Sequence, residues 1–134
     1  MNMLGIREPE KYGNKTLKGI EKDLYTESFK LGIELETFQS NHEGEIVDKI
    51  HSAYYNKFDG IIINPAAYTH SSVAIRDAIS AVALPCVEVH MTNIQGREDF
   101  RQKSLTAPVC LAQICGFGEK VYAIALNALV EYLK

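Results

Sequence analysis

Apolar residues recur every three or four positions in four segments of the chain, which is the spacing of an amphipathic helix. The first such segment follows Thr16, a residue type that favours a helix N-cap, and it ends at Gly32, a residue type common just after a helix. The third begins near Ser72 and stops before Pro85, which cannot continue a helix. The spacing therefore predicts helices over residues 16–31, 40–54, 72–82 and 121–129.

Shorter apolar runs separate these helices and predict four β-strands, at residues 33–38, 60–63, 86–90 and 109–115. The run from Ile61 to Ile63 is apolar throughout, as expected of a parallel strand that is buried on both faces. Strands that alternate with helices predict an α/β fold with a doubly wound parallel sheet. The length of 134 residues predicts one domain that spans residues 1–134.

Polar side chains follow the carboxyl ends of the predicted strands. Asn64 and His70 come after the strand that ends at Ile63, and Arg76 and Asp77 follow as an ion pair at the beginning of the next helix. The carboxyl edge of a parallel sheet is where open α/β folds bind ligands. We therefore expect a ligand site there.

Composition and charge exclude several classes of function. The net charge is −3 and the 14 Lys and Arg residues are dispersed, so the sequence predicts no nucleic-acid partner. No apolar run approaches the roughly 18 residues of a membrane span, and no secretory signal is visible, so we expect a soluble, cytoplasmic protein without a membrane partner. The three cysteines form no CxxC pair and predict reduced thiols rather than a metal site.

Taken singly, the candidate residues also have ordinary structural interpretations. A tyrosine such as Tyr12, in the irregular segment 1–14, is usually a packing residue, and His90 could be a half-buried histidine at a strand end. Arg76 and Asp77 could form a plain surface ion pair of little energetic value. A receiver or flavodoxin-like binding module shares the alternation of elements, but the acidic cluster of the first and the phosphate loop of the second are absent.

Five separated blocks of sequence resemble type II 3-dehydroquinate dehydratase, in that family's order and over essentially the whole chain. The blocks are Leu4-Gly-Ile-Arg7-Glu-Pro-Glu-Lys-Tyr12-Gly, Gln39-Ser-Asn-His42-Glu-Gly, Ile62-Ile-Asn64-Pro-Ala-Ala-Tyr-Thr-His70-Ser-Ser-Val-Ala-Ile-Arg-Asp77, Val87-Glu88-Val-His90-Met-Thr-Asn93 and Arg97-Glu-Asp-Phe-Arg101.

The resemblance implies an activity, a fold and an assembly. The activity is dehydration of 3-dehydroquinate to 3-dehydroshikimate by anti elimination through an enolate, in the shikimate pathway of aromatic amino acid biosynthesis, without cofactor or metal. The fold is flavodoxin-like, with a parallel sheet in the order 2-1-3-4-5. The assembly is a homo-dodecamer built of trimers.

The resemblance also implies roles for individual residues. Tyr12 would be the base that removes a proton next to the ketone, and Arg7 would be the cation that makes a tyrosine usable as a base. His90 would be the general acid, with Glu88 holding its ring from two residues away on the same strand face. The implied substrate-binding residues are Asn64, His70, Met91, Thr92 and Arg101, together with Asp77, which would reach the active site of a neighbouring subunit.

One departure from the family keeps an alternative open. Family members begin with a strand and the motif Asn-Gly-Pro-Asn-Leu ahead of the residues that match Asn2 to Gly5, and this first, central strand is missing from the chain given. Its loss would leave unpaired backbone groups on both sides of a gap in the sheet. The alternative function is therefore a non-catalytic, truncated homologue that acts as an oligomeric or ligand-binding module.

Overall fold

The computed structural model describes residues 1–134, and its longer helices begin and end close to where local signals predict. Helix α1 spans Pro9–Tyr12 and helix α2 spans Leu17–Leu31. The Thr16 hydroxyl caps α2 by accepting the N–H of Gly19 at 3.2 Å, and Gly32 ends it in the left-handed conformation with φ of 68°. These signals act within one turn of the chain, so the sequence is sufficient to place them.

The other helices follow in order along the chain. Helix α3 spans Glu43–Tyr55, and α4 spans Val73–Val82 with Ser72 as its cap. Helix α5 is a short turn at Asp99–Gln102, and α6 closes the chain at Lys120–Leu133. Three 3₁₀ turns connect these elements, at Ala66–His70, Ile94–Gly96 and Ala107–Val109. No helix of the chain combines the length and the apolar character needed to cross a membrane.

The sheet has three parallel strands in the order β1-β2-β3. They are β1 at Ile61–Ile63, β2 at Cys86–His90 and β3 at Ala112–Cys115. Ile63 stands opposite Glu88 in the β1–β2 register, and Glu88 stands opposite Gln113 in the β2–β3 register. The predicted α/β class with a parallel sheet is confirmed.

The predicted strand at residues 33–38 is wrong. Its side chains alternate in exposure, and they attach it to the flanking helices: Thr37 shares a hydrogen bond with Tyr25, and Glu36 pairs with Lys49. Its backbone forms no ladder of hydrogen bonds with another strand. Paired strands lie about 4.8 Å apart, whereas a cavity of about 810 Å³ separates this segment from β1. Alternating exposure of side chains does not by itself provide a partner strand.

The last strand is shorter than predicted, and half of its residues are exposed. Residues 107–109, which contain Pro108, form a 3₁₀ turn, so β3 begins at Ala112 rather than at residue 109. Since β3 lies at the edge of the sheet, Ala112 and Gln113 are exposed. Val109 and Cys110, at the start of the apolar run, pack against the core cluster of α3 and α4 instead of extending the strand.

Two apolar layers fix the position of β2 between helices. On one face Val87 and Val89 pack with residues of α2 and α6, and on the other face Cys86 packs with residues of α3 and α4. Alternation along β2 therefore directs Glu88 and His90 to the same face as Cys86. All five residues of β2 are buried, which holds the last of them, His90, rigidly at the carboxyl edge of the sheet.

Candidate active site

Eight of the ten predicted site residues line a single cavity that reaches the carboxyl ends of β1 and β2. This is the edge at which the sequence predicts a ligand site. The lining residues among those predicted are Arg7, Tyr12, Asn64, His70, His90, Met91, Thr92 and Arg101. Glu88 lies directly behind His90, and Asp77 does not line the cavity of its own chain.

The hydroxyl of Tyr12 is bound by Arg97, a residue that the sequence reasoning missed. Arg97 Nη1 donates to Tyr12 Oη at 3.0 Å and to Thr92 Oγ1 at 3.2 Å, and its side chain is only 14 % exposed. The hydrogen bond to Tyr12 is the main cause that raises the pKa of the Arg97 guanidinium, so this group stays charged. A guanidinium in this position stabilises a neighbouring phenolate.

Arg7 contacts the ring of Tyr12 rather than its hydroxyl. Its guanidinium carbon lies 5.7 Å from the ring centroid, and its Nε donates to Glu8 at 3.2 Å. The Arg7 side chain is 58 % exposed. Arg7 thus adds positive charge beside the tyrosine, while the direct contact with the oxygen comes from Arg97.

Glu88 and His90 form a buried pair at the end of β2. His90 Nε2 lies 2.6 Å from Glu88 Oε1, and both side chains are almost completely shielded from solvent. Burial by itself raises the pKa of Glu88, but hydrogen bonds, the first of them from His90, outweigh it and leave the pKa of this carboxyl below its ordinary value. Glu88 is therefore an anion that orients the imidazole through Nε2 and leaves Nδ1 outside this contact.

Asn64 is held by a second tyrosine that the sequence reasoning did not single out. Its Nδ2 donates to Tyr122 Oη at 2.9 Å, and its Oδ1 accepts the N–H of Ala66 at 3.0 Å. Burial raises the pKa of Tyr122 to about 12, although the hydrogen bond from Asn64 acts in the opposite direction. Tyr122 is therefore a neutral phenol that fixes the amide at the cavity wall.

Hydrogen-bond donors without a protein acceptor gather at the end of β2. The backbone N–H groups of Met91 and Thr92 donate to no acceptor within the protein. The Nε–H of Arg101 also lacks a hydrogen-bond acceptor, although Glu98 Oε2 is 3.0 Å away as an ion-pair partner. Backbone dipoles and a guanidinium of this kind are suited to an anionic ligand.

His70 and Arg76 connect the loop after β1 to the segment that follows α5. His70 Nδ1 is 2.7 Å from the carbonyl oxygen of Lys103, and Arg76 Nη1 donates to the carbonyl oxygen of Leu105 at 2.9 Å. The predicted ion pair between Arg76 and Asp77 is not formed. Adjacent side chains on a helix point about 100° apart, and the guanidinium reaches the Leu105 carbonyl instead.

The arrangement combines a tyrosine beside two guanidinium groups with a histidine backed by a buried carboxylate. The guanidinium groups favour the charged phenolate, which can act as a base. The carboxylate favours the charged imidazolium, which can act as an acid. Unpaired N–H groups and Arg101 add a place for an anion. The cavity can therefore hold an anionic substrate between an acid and a base.

Comparison with known proteins identifies close relatives. The family model for dehydroquinase class II matches residues 1–130. A 3-dehydroquinate dehydratase of Caldicellulosiruptor bescii is 57% identical over 133 residues, which are 99% of this chain and 92% of that protein. The crystal structure of a type II dehydroquinase from Butyrivibrio crossotus superposes with a TM-score of 0.94 at 49% identity, over 96% of this chain and 89% of that one. A type II dehydroquinase from Propionibacterium acnes gives a TM-score of 0.93 at 36% identity, over 97% and 89% of the two chains.

Proposed function

The chain belongs to the class II dehydroquinase family, and from that membership we propose that it dehydrates 3-dehydroquinate to 3-dehydroshikimate as a hydro-lyase of the shikimate pathway. One observation carries the proposal: Tyr12 with Arg97 and His90 with Glu88 meet at one cavity. Loss of water beside a ketone needs a base for the carbon-bound proton and an acid for the departing hydroxyl. The proposed reaction uses neither a cofactor nor a metal.

The first step is removal of a proton by Tyr12. Its phenolate takes the proton from the carbon next to the ketone, and the electron pair of the broken C–H bond moves to the ketone oxygen to give an enolate. Arg97 stabilises the phenolate through the 3.0 Å hydrogen bond, and Arg7 adds charge above the ring. Both guanidinium groups thus favour the phenolate form that this step requires.

The second step is departure of the hydroxyl group. The enolate electrons return to form a carbon–carbon double bond, the carbon–oxygen bond breaks, and the leaving oxygen takes a proton from His90 and departs as water. Glu88 orients the imidazole at 2.6 Å and stabilises its protonated form. The product is an enone, and the base and acid act from opposite sides of the substrate ring in an anti elimination.

Substrate binding follows from the donors around the cavity. The free N–H groups of Met91 and Thr92, with Arg101, would hold the carboxylate. Asn64 and His70 would bind the ring hydroxyl groups from the other wall. Through these contacts the oxygen atoms of 3-dehydroquinate hold its ring between Tyr12 and His90. This positioning precedes both chemical steps.

Assembly and location complete the proposal. We include the homo-dodecamer of trimers that the family resemblance implies, since Asp77 is exposed and does not line the cavity of its own chain, which leaves it able to serve a neighbouring subunit. A cytoplasmic location is supported by the three unpaired cysteines, Cys86, Cys110 and Cys115, because disulfide-free thiols are typical of reducing compartments. Light scattering of the purified protein measures the assembly directly.

A turnover assay tests the function. Purified protein is mixed with 3-dehydroquinate and the ultraviolet absorbance of the enone product is followed; we expect turnover that Tyr12→Phe and His90→Gln abolish. Tyr54→Phe and His51→Gln make the same substitutions on α3, outside the cavity, and should keep full activity. A folded protein with no turnover would favour the non-catalytic alternative, and full activity of Tyr12→Phe would refute the assigned base.

A further inference from the structure

Glu88 is surrounded by more hydrogen-bond donors than its role beside His90 requires. Its side chain has 0 % exposure in the middle of β2, where an unpaired carboxylate would be very costly. Thr106 Oγ1 donates to Oε2, and Gln113 Nε2 donates to Oε1 at 2.8 Å. Ser104 Oγ lies 2.9 Å from Oε1 and 3.1 Å from Oε2. Three side chains thus bind the carboxylate in addition to the imidazole.

These donors come from separate parts of the chain and are themselves fixed. Gln113 stands directly opposite Glu88 in the register of β2 and β3. Thr106 is fully buried, in the segment after α5. Ser104 Oγ accepts the backbone N–H groups of Thr106 and Ala107 at 3.2 and 2.9 Å, so its one hydroxyl hydrogen remains for the carboxylate. The donors are therefore oriented before any substrate binds.

The three side-chain donors match an ionised Glu88. Each presents a hydrogen to one or both carboxylate oxygens, and a protonated Glu88 would have to turn its own hydrogen away from them. None of the three donors lines the cavity. We propose that Ser104, Thr106 and Gln113 are positioning residues of the dehydration, which hold Glu88 as a fixed carboxylate so that His90 keeps the proton it delivers to the leaving hydroxyl.

The other charged and titratable groups around the pair do not replace this network. Cys115 stands opposite His90 on β3, and burial, followed by the charge of Glu88, raises the pKa of its thiol and keeps it neutral. Cys86, two residues before Glu88, is likewise neutral: its hydrogen bond with Cys110, and then burial, raise the pKa of the Cys86 thiol. On β1 the residue opposite Glu88 is the apolar Ile63.

On the cavity side, other titratable or charged groups share the lining with His90, and none of them forms an ion pair with Glu88: Arg7, Tyr12, Glu21, Glu34, Glu36, Lys49, Asp59, Tyr68, His70, Arg97, Arg101 and Tyr122. The only ion pair of Glu88 is with His90. The negative charge that stabilises a protonated imidazole therefore comes from this one carboxylate, and its donors control how firmly that charge is fixed.

The role of the three donors in catalysis rests on the proposed function, and kinetics at varied pH test it. Thr106→Val and Gln113→Met remove one donor each at nearly constant volume. Loss of a donor lets the carboxylate turn away from the imidazole, which then loses part of the negative charge that stabilises its protonated form. We therefore expect the alkaline limb of kcat to move to lower pH by about one unit, with kcat above it reduced about tenfold. KM should stay unchanged. Thr106→Ser retains the hydroxyl and should show the wild-type profile. Thr26→Val makes the same substitution at an exposed position of α2 and is the control.

A measurement without turnover separates this inference from the proposed function. Nitrogen-15 NMR of the His90 imidazole in a Tyr12→Phe background follows the same protonation in an inactive protein. The midpoint of this titration should move to lower pH in Thr106→Val and in Gln113→Met. Gln113 is exposed on an edge strand, so its variant folds even if the buried Thr106 variant does not. Unmoved midpoints and unmoved kcat profiles in folded variants would overturn the proposal.

Discussion

Replacing Arg97 with methionine tests the contact on which the proposed base depends. The substitution keeps the length of the aliphatic stem and removes the guanidinium that donates to Tyr12 Oη at 3.0 Å and to Thr92 Oγ1 at 3.2 Å. With the side chain only 14 % exposed, solvent screens this interaction weakly. Water that enters in place of the guanidinium can supply a hydrogen bond but no positive charge.

The expected loss follows from the strength of one charge-assisted hydrogen bond. Such a bond contributes about 1.5–3 kcal/mol, which corresponds to a fall in kcat of roughly 10- to 100-fold. The phenolate of Tyr12 would then form only at higher pH, so the acid limb of kcat should move up by about 1–2 pH units. Arg97→Lys should give an intermediate rate, because one ammonium group cannot reproduce the fork geometry of the guanidinium.

The assay is the pH dependence of kcat and KM for 3-dehydroquinate, measured by product absorbance. Lys22→Met removes the same charge from the exposed face of α2 and controls for the change in net charge. If Arg97→Met kept the wild-type kcat with an unmoved acid limb, Tyr12 would not depend on Arg97 for its ionisation. The base would then have to be supported by Arg7 alone or be a different residue.

Further outcomes follow from other contacts. Mixed oligomers of Asp77→Asn and Tyr12→Phe subunits should regain activity that neither variant has alone, since one intact site can form between them; hybrids as inactive as their parents would contradict a role for Asp77 in a neighbouring subunit. Gly32→Ala should lower the free energy of unfolding by about 1 kcal/mol because of the left-handed conformation, whereas Gly44→Ala, with no atom within 4 Å of the added Cβ, should raise it in denaturant melts by about 0.5 kcal/mol. The pKa of Glu88 lies below its ordinary value, so the stability it contributes is present above the unfolded pKa and lost as pH falls through the folded one. The difference in unfolding free energy between wild type and Glu88→Gln should therefore be constant down to about pH 5 and narrow below it; a constant difference at lower pH would argue against an ionised Glu88.

Helix ends and the edge of the sheet that carries the site could be predicted from local sequence. The cap at Thr16, the stop at Gly32 and the cap at Ser72 each depend on groups within one turn of the chain. Polar residues after Ile63 and around His90 were predicted to meet because the carboxyl ends of parallel strands share one edge, and the structure brings them to one cavity.

Contacts between distant parts of the chain could not be predicted in this way. Arg97 and Tyr12 are 85 positions apart, and Gln113 reaches Glu88 across 25 positions. Neither pair has a signal in spacing or periodicity, since their meeting depends on how α1, α5 and β3 pack around β2. Resemblance to a family implies Arg7 as the cation, but only the folded chain brings Arg97 to the Tyr12 hydroxyl.

The sequence by itself determined the α/β class and most helix boundaries, because periodicity and capping are encoded locally, and its resemblance to a family indicated the residues for acid–base chemistry. Tertiary structure alone decided that residues 33–38 are not a strand, since a strand exists only with a neighbouring backbone to pair with. It also decided which cation serves Tyr12 and which donors hold Glu88. Those choices depend on distances of about 3 Å between groups that the chain brings together only when it is folded.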